Sequence, residues 1–155
     1  MNEIEEIKKL KSRYFRALDT KDWDAFRDVF TDDFVSDTTG SGGKVINGAD
    51  NFLSYIRKTL SSNSTVHHGH MPEIELTSSD TAKGIWAMED LVRFFGFIEL
   101  HGYGHYHEEY KKIDDQWRIS YSKLTRLRMD IRVFIISIKI PDFLIKKMNK
   151  RTDNG

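Results

Sequence analysis

The sequence predicts an α+β domain, a class in which helices pack against a sheet built mostly of antiparallel strands. Helical spacing of apolar residues is confined to roughly the first 60 residues, and strand-like stretches follow from residue 65 onward. Turn signals separate these stretches at residues 78–80, at Gly96 and at Asp114-Asp115. A chain of 155 residues is the usual size of one domain with one core.

An amphipathic helix is predicted first, because apolar residues recur at three- and four-residue spacing with charged residues between them. These apolar residues are Ile4, Ile7, Leu10, Tyr14 and Leu18. A second, shorter helix follows, capped by Thr20 or Asp22. Its buried residues are Trp23, Phe26 and Phe30. After a short strand at residues 34–36 and a Gly/Ser loop at residues 38–43, residues 49–60 are predicted to form a third helix.

The second half is predicted to be strands. Residues 82–95 are long for a strand and contain Gly84, which permits a bend or bulge. Residues 103–113 and 117–125 are predicted to form a hairpin closed on Asp114-Asp115. Residues 131–140 are apolar on both faces, so they form either a buried strand or a subunit contact.

The domain is expected to span residues 1–145. Pro141 suits the first turn of a short closing helix, and residues 146–155 are expected to be a disordered, basic tail.

Composition excludes several classes of function. Lys+Arg and Asp+Glu are equal at 24 each, so the neutral chain has no general attraction to nucleic acid or to an acidic membrane surface. Cysteine is absent, which excludes disulfides, thiolate metal sites and a cysteine nucleophile. The N-terminus lacks an apolar signal core, and no apolar run is long enough to span a bilayer. We therefore expect a cytoplasmic protein that does not bind nucleic acid or membranes.

Polar residues at positions expected in the core are the candidates for function. Tyr14 lies on the apolar stripe of the first helix, and Asp19 ends that helix, where the helix dipole disfavours a negative charge. The alternative is structural: Asp19 caps the next helix, and Tyr14 is an ordinary core residue.

Three histidines crowd the strand that follows the third helix. Alternation places His67 on one face, and His68 and His70 on the other, so the three cannot bind one ion from a regular strand. An H-x-H metal site of His68 and His70 with Glu73 has unsuitable spacing, and we predict no metal and no cofactor. The alternative for His67 is a buried histidine bonded to the backbone.

Other motifs give weaker indications. Tyr103, His105 and His107 share a face of a later strand, and Arg126 ends the strand after it. The Gly-rich loop has no Lys-Ser/Thr after it, so it does not predict a phosphate site. A Ser-His-Asp triad is not supported, since the G-x-S-x-G motif is missing.

Several segments together resemble the SnoaL-like branch of the nuclear-transport-factor-2-like superfamily. They are IKKLKSRYFRALD at 7–19, VHHGHMPEI at 66–74, TAKGIWAMED at 81–90 and YKKIDDQW at 110–117, with Trp23 and Phe34-Val35 between. The resemblance covers roughly residues 4–128. It is strongest to the bile acid 7α-dehydratases, with scytalone dehydratase and hexachlorocyclohexane dehydrochlorinase as more distant relatives.

The resemblance implies a cone, in which a curved, mostly antiparallel sheet wraps around three helices. It also implies that Tyr14, Asp19 and His67 are catalytic. The substrate-binding residues expected from it are Arg126, His105 and Trp86.

The implied activity is that of a cofactor-independent dehydratase-type lyase. An Asp-His dyad would take a carbon-bound proton from a small, hydrophobic, steroid- or polyketide-like molecule. The alternatives are an isomerase or polyketide cyclase with the same dyad, and a non-catalytic ligand-binding protein. Members of the superfamily are often trimers, so a trimer or dimer is expected. The sequence departs from the family's pattern at residues 37–44 and after Arg128, and the substrate therefore cannot be transferred.

Overall fold

The computed structural model of the protein describes residues 2–133. They form three α-helices and a six-stranded, curved mixed sheet, which confirms the predicted α+β class. The helices are α1 (Glu3–Thr20), α2 (Trp23–Arg27) and α3 (Ala49–Leu60). The strands are β1 (Phe30–Asp37), β2 (Val45–Asn47), β3 (Ser64–Leu76), β4 (Thr81–Phe94), β5 (Ile98–Ile113) and β6 (Gln116–Val133).

The strand order in the sheet is β2-β1-β6-β5-β4-β3. All neighbouring strands pair antiparallel except β1 and β6, which pair parallel. Strands β3 to β6 follow one another along the chain as a meander, and β1 joins its far edge. Helix α1 packs against β3 and β6, and α3 packs against β1, so the core lies between the helices and the sheet.

Helix α1 forms where the apolar stripe predicts it. The Asn2 side chain accepts a hydrogen bond from the Ile4 backbone N–H at 3.2 Å and caps the helix, and three glutamates occupy the first turn. Its end is fixed by Lys21, which adopts a left-handed conformation with φ of 62°. The buried face of the helix comprises Ile7, Leu10, Lys11, Tyr14, Ala17 and Leu18.

The structure decides one alternative in the predicted helical part and corrects one detail. The cap of α2 is Asp22, whose side chain accepts from the Ala25 backbone N–H at 3.1 Å, and not Thr20. Phe30 does not belong to α2, since it begins β1, where its ring packs 4.3 Å from that of Phe34. The strand predicted at residues 34–36 is therefore longer, and begins with a buried aromatic residue.

The turns lie where the sequence predicts them. Gly96 adopts a φ of 80° between β4 and β5, and Asp114 and Asp115 both adopt left-handed conformations between β5 and β6. Gly84, which permits a bend or bulge, pairs in regular register with β5, and the nearby register shift lies in the pairing of β3 with β4, between His70 and Glu73. Gly84 instead leaves room for Tyr110, whose ring would lie 3.1 Å from an added Cβ.

Most of the residue 131–140 prediction lies outside the described residues, as do Pro141 and the 146–155 tail. Ile131 and Val133 end β6 with exposed side chains. Within residues 2–133, no helix is long and apolar enough to cross a membrane.

Candidate active site

Asp19 and His67 are in direct contact. Asp19 ends α1 and His67 lies on the inner face of β3, so the packing of helix against strand brings them together. Asp19 Oδ1 lies 2.7 Å from His67 Nδ1, and Asp19 Oδ2 accepts from the His67 backbone N–H at 2.8 Å. The His67 side chain is 7% exposed. This contact contradicts the alternative in which Asp19 caps the next helix.

Thr65 binds the Asp19 carboxylate directly, and Lys21 supports it through Thr65. The Thr65 hydroxyl donates to Asp19 Oδ1 at 2.8 Å. Lys21 Nζ in turn donates to the Thr65 hydroxyl at 2.6 Å and to the Leu18 carbonyl at 3.2 Å. Burial lowers the pKa of Lys21, and the negative charge of Asp19 opposes that change. These donors offset the unfavourable position of a carboxylate at a helix C-terminus.

The proton on the His67 ring can be assigned from its partner. A carboxylate only accepts hydrogen bonds, so the ring nitrogen that faces Asp19 must carry a hydrogen. In the neutral ring this leaves Nε2 with a free lone pair. His67 is therefore oriented as a base whose accepting atom faces away from Asp19.

His67 lines a cavity of about 110 Å³ between the helices and the sheet. Its wall is mostly apolar and aromatic, with polar side chains from several strands. The polar and aromatic residues include Tyr14, Ser36, Thr38, Phe52, Tyr55, Asp90, Tyr106 and Ser122. No lysine or arginine is among the described residues that line it. The cavity therefore contains a base and hydroxyl groups, and none of the described residues that line it is a lysine or arginine.

Two larger clefts of about 690 and 550 Å³ lie elsewhere on the surface. The first is beside Glu3 and Trp117, and the second is beside Glu73 and His107. Neither includes His67 or Asp19. Since His67, which is hydrogen-bonded to Asp19, lines the cavity of about 110 Å³, we take that cavity as the candidate active site.

Tyr14 lines this cavity, and its hydroxyl group is neutral. Burial raises its pKa, and the nearby negative charge of Glu108 raises it further, while a hydrogen bond with Tyr106 acts in the opposite direction. Burial also raises the pKa of Tyr106 well above its ordinary value. Both tyrosines therefore stay protonated at neutral pH and can donate hydrogen bonds.

Behind these tyrosines lies a fully buried ion pair. Lys11 Nζ lies 2.5 Å from Glu108 Oε1, and both side chains are completely buried. The Lys11 ammonium also lies 4.0 Å from the ring centroid of Tyr14 and 3.8 Å from that of Tyr106. Glu108 accepts a further hydrogen bond from Tyr110 at 2.7 Å. The pair therefore contacts both tyrosine rings, and neither of its members lines the cavity.

A second ion pair supports the cavity wall. Arg126 donates to both carboxylate oxygens of Asp90, at 2.8 and 2.7 Å. Gly102, on the strand between them, leaves the space for this pair, because an added Cβ would overlap Arg126 Nη1 and Asp90 Oδ1. Asp90 lines the cavity, whereas Arg126 lies behind it. The predicted pocket arginine is thus paired with a carboxylate that the sequence analysis missed.

Two predicted substrate-binding residues lie elsewhere. Trp86 is buried in the core beside Met88 and Leu124, and its Nε1 donates to the Tyr110 hydroxyl at 2.8 Å, so it does not line the cavity. His105 is on the outer face of β5, because alternation along the strand turns Tyr106 inward. The structure does not place either side chain at the candidate site.

Sequence reasoning also missed Lys11, Asp90, Glu108 and Tyr106. Each occupies a position that the local pattern assigns to the buried face: Lys11 four residues after Ile7, and Asp90 four residues after Trp86. A charged residue in a buried stripe was the available signal. It could not show which residues pair, because Lys11 and Glu108 are 97 positions apart.

Comparison with known proteins identifies the family. The model of the SnoaL-like domain family matches residues 1–123. The probable cyclase FGR4 of Gibberella zeae is 25% identical over 133 residues, which cover 78% of this chain and 89% of the relative.

Solved structures share the fold. A hexachlorocyclohexane dehydrochlorinase from Novosphingobium barchaimii superposes with a TM-score of 0.74 at 19% identity, over 87% of this chain and 92% of the other. A proposed scytalone dehydratase from Novosphingobium aromaticivorans has a TM-score of 0.74 at 18% identity, over 88% and 95%. The Kfla4162 protein of Kribbella flavida has a TM-score of 0.74 at 23% identity, over 81% and 90%. At these identities the comparisons establish the fold alone.

Proposed function

The chain belongs to the SnoaL-like domain family, and from this premise we propose that it is a cofactor-independent dehydratase-type lyase. The observation that carries the proposal is the contact between Asp19 and His67 on the wall of a cavity. Relatives named cyclase, dehydratase and dehydrochlorinase support a small-molecule-converting enzyme. The following steps assign roles to the residues of this chain.

His67 acts as the general base. Its Nε2 takes a proton from a carbon next to a carbonyl group, and Asp19 stabilises the imidazolium that forms. Because the strand backbone and the ring of His67 both bind the same carboxylate, the ring does not need to reorient before the reaction.

Tyr14 stabilises the enolate oxygen that develops as the proton leaves. Its raised pKa makes it a poor proton donor but leaves its hydroxyl neutral, so it donates a hydrogen bond rather than a proton. For Tyr14, anion stabilisation is therefore better supported than protonation of the leaving hydroxyl group.

The elimination follows from these roles. As the enolate collapses, its electron pair forms a carbon–carbon double bond and the bond to the β-hydroxyl oxygen breaks. The proton on His67 Nε2 passes to the leaving oxygen, so water is released and the neutral histidine is restored. The step needs no oxidant, reductant or metal ion.

The cavity limits the class of substrate. Asp90 lines it and no lysine or arginine does among the described residues, so a neutral molecule is favoured over a carboxylate. Its volume of about 110 Å³ is below the roughly 150 Å³ of a cavity that binds benzene. Even a single small ring therefore requires the cavity wall to move outward slightly, and a steroid-like molecule requires a much larger movement.

A second reading uses the same dyad for isomerisation or ring closure. The relative named as a probable cyclase favours it. In this case the proton returns to a different carbon, or the enolate attacks a second carbonyl group. Elimination of water distinguishes the first reading from isomerisation, because an isomer keeps the mass of the substrate.

The test is turnover of neutral, single-ring β-hydroxyketones, followed by the ultraviolet absorbance of the conjugated product and by mass spectrometry. We expect loss of water with the wild-type protein and no turnover with His67→Ala or Asp19→Asn. His107→Ala, which removes a histidine from the outer face of the sheet, is the matched control and keeps the activity. Turnover that survives in His67→Ala contradicts the proposal, and binding without turnover of any ketone supports a ligand-binding protein instead.

A further inference from the structure

The outer face of the sheet carries a second cluster of histidines, on the opposite side of β3 from His67. His68 and His70 are both exposed, and strand pairing places Glu89 of β4 directly opposite His68. One ligand atom from each of these three residues lies within 4.8 Å of the other two. Three side chains of types that commonly bind metal ions therefore lie close together on the surface.

The donor set has a known chemistry. Two imidazoles and one glutamate are the ligands of many catalytic zinc sites, which leave a fourth position for water or another ligand. Ligand atoms around a tetrahedral zinc ion are roughly 3.3 Å apart, given metal–ligand bonds of about 2.0 to 2.1 Å. Side-chain rotation is needed to close the spacing to this value, and the side chains of His68 and His70 are both exposed.

A fourth residue orients the carboxylate. His101 Nε2 lies 2.6 Å from Glu89 Oε1, which leaves Glu89 Oε2 available to an ion. The His101 ring is itself fixed, since it stacks on Tyr103 with ring centroids 4.6 Å apart, and its Nδ1 is buried without a partner among the described residues. Metal-binding carboxylates commonly have such a hydrogen-bonded partner behind them.

We propose that His68, His70 and Glu89 form a binding site for a divalent transition metal ion of the zinc type, with His101 as the positioning residue of Glu89. The H-x-H motif identified in the sequence thus takes its carboxylate from β4. Glu73, the carboxylate considered there, lies beyond a register shift of β3 that falls between His70 and Glu73. The site does not depend on the proposed function, because His67 faces the other side of the sheet.

The test is calorimetric titration of the full-length, tag-free protein with Zn²⁺. We expect one ion per chain with micromolar or tighter affinity. His68→Ala and His70→Ala each weaken binding at least about tenfold, and Glu89→Gln weakens it because the ligand loses its charge. Tetrahedral Co²⁺ bound at the same site gives a visible absorption band that the two histidine variants lose.

The matched control is His107→Ala, which also removes an outer-face histidine of the sheet but none of the three ligands. It keeps the wild-type affinity, and circular dichroism verifies that all variants are folded. Affinity weaker than millimolar, or affinity unchanged in His68→Ala and His70→Ala, overturns the proposal. A stoichiometry of one ion per two or three chains overturns the single-chain site.

Discussion

Asp19 binds His67 at two points, the ring Nδ1 at 2.7 Å and the backbone N–H at 2.8 Å. A single carboxylate at the end of α1 therefore fixes both the strand and the ring that the strand carries. The Thr65 hydroxyl occupies a further acceptor position of the same carboxylate. All three donors require an acceptor at residue 19, and this requirement makes the role of Asp19 testable without a substrate.

Asp19→Asn is expected to change the hydrogen position on His67. One oxygen of the carboxylate becomes an NH₂ group, which cannot accept from the donors that now face it. Long-range proton–nitrogen NMR of the neutral ring is expected to show hydrogen on Nδ1 in the wild-type protein and a smaller Nδ1–H fraction in the variant. A wild-type ring with its hydrogen on Nε2 would contradict the assignment.

The folded protein is expected to lose stability in alkaline solution. Burial raises the pKa of Tyr14, Tyr106 and Tyr110, so these side chains release their protons in the unfolded chain first, at a pH of about 10. Their contribution to stability is complete below that pH and is lost as the pH rises through the folded-state values. Burial lowers the pKa of Lys11, so this group alone makes the folded protein more stable as the pH rises. We expect the three tyrosines together to outweigh it.

The measurement is an alkaline titration followed in parallel by tyrosinate absorbance and circular dichroism. Three of the six tyrosines are expected to ionise only as the protein unfolds. Ionisation of all six before any loss of structure would show that these side chains are accessible to solvent in the folded state.

Lys11→Met is expected to destabilise the protein by about 3–5 kcal/mol, because Glu108 is left as an unpaired charge in the core. Met fills a similar volume between the tyrosine rings. Adding Glu108→Gln to this variant removes the unpaired charge and is expected to recover part of the loss. Urea unfolding of the two single variants and the double variant measures the coupling.

The matched control for this cycle is Lys8→Met, which breaks an exposed ion pair with Glu5 and is expected to change stability little. Equal effects of Lys8→Met and Lys11→Met would contradict the importance of the buried pair.

Gly102→Ala is expected to destabilise the protein by about 1–3 kcal/mol, because the added methyl group overlaps the Asp90–Arg126 pair. In a chain that already carries Asp90→Ala and Arg126→Ala, the same substitution meets no such overlap. Thermal unfolding of the wild-type protein and the three variants tests this. A cost of Gly102→Ala that is the same in both backgrounds would show that the pair is not what requires glycine.

Helix α1 and the face of β3 could be predicted from the sequence, because apolar periodicity and strand alternation act over a few residues. These patterns made Tyr14, Asp19 and His67 candidates, and the resemblance to the SnoaL-like branch implied their roles. The resemblance also implied a role for His105, and alternation could not correct this, since it gives two faces but does not say which one is inside. The inward side chain of Tyr106, one residue later, decides this in the structure.

Pairings between distant residues could not be predicted in this way. The contact of Lys11 with Glu108 depends on how α1 lies across the sheet, and that of Asp90 with Arg126 depends on strand register. Register shifts occur in the pairing of β5 with β6, between Tyr103 and Gly104 and again near Tyr110. Each shift changes which residues face each other, and the local sequence pattern does not mark it.

The central claim, that His67 is a base for carbon-bound protons, is tested most directly by proton NMR of 3-hydroxycyclohexanone in D₂O. We expect the wild-type protein to exchange the protons next to the carbonyl group faster than buffer, and to form the unsaturated ketone. His67→Gln, which keeps a polar side chain of similar reach, is expected to exchange them no faster than buffer. Equal exchange with the wild-type protein and His67→Gln would contradict the claim.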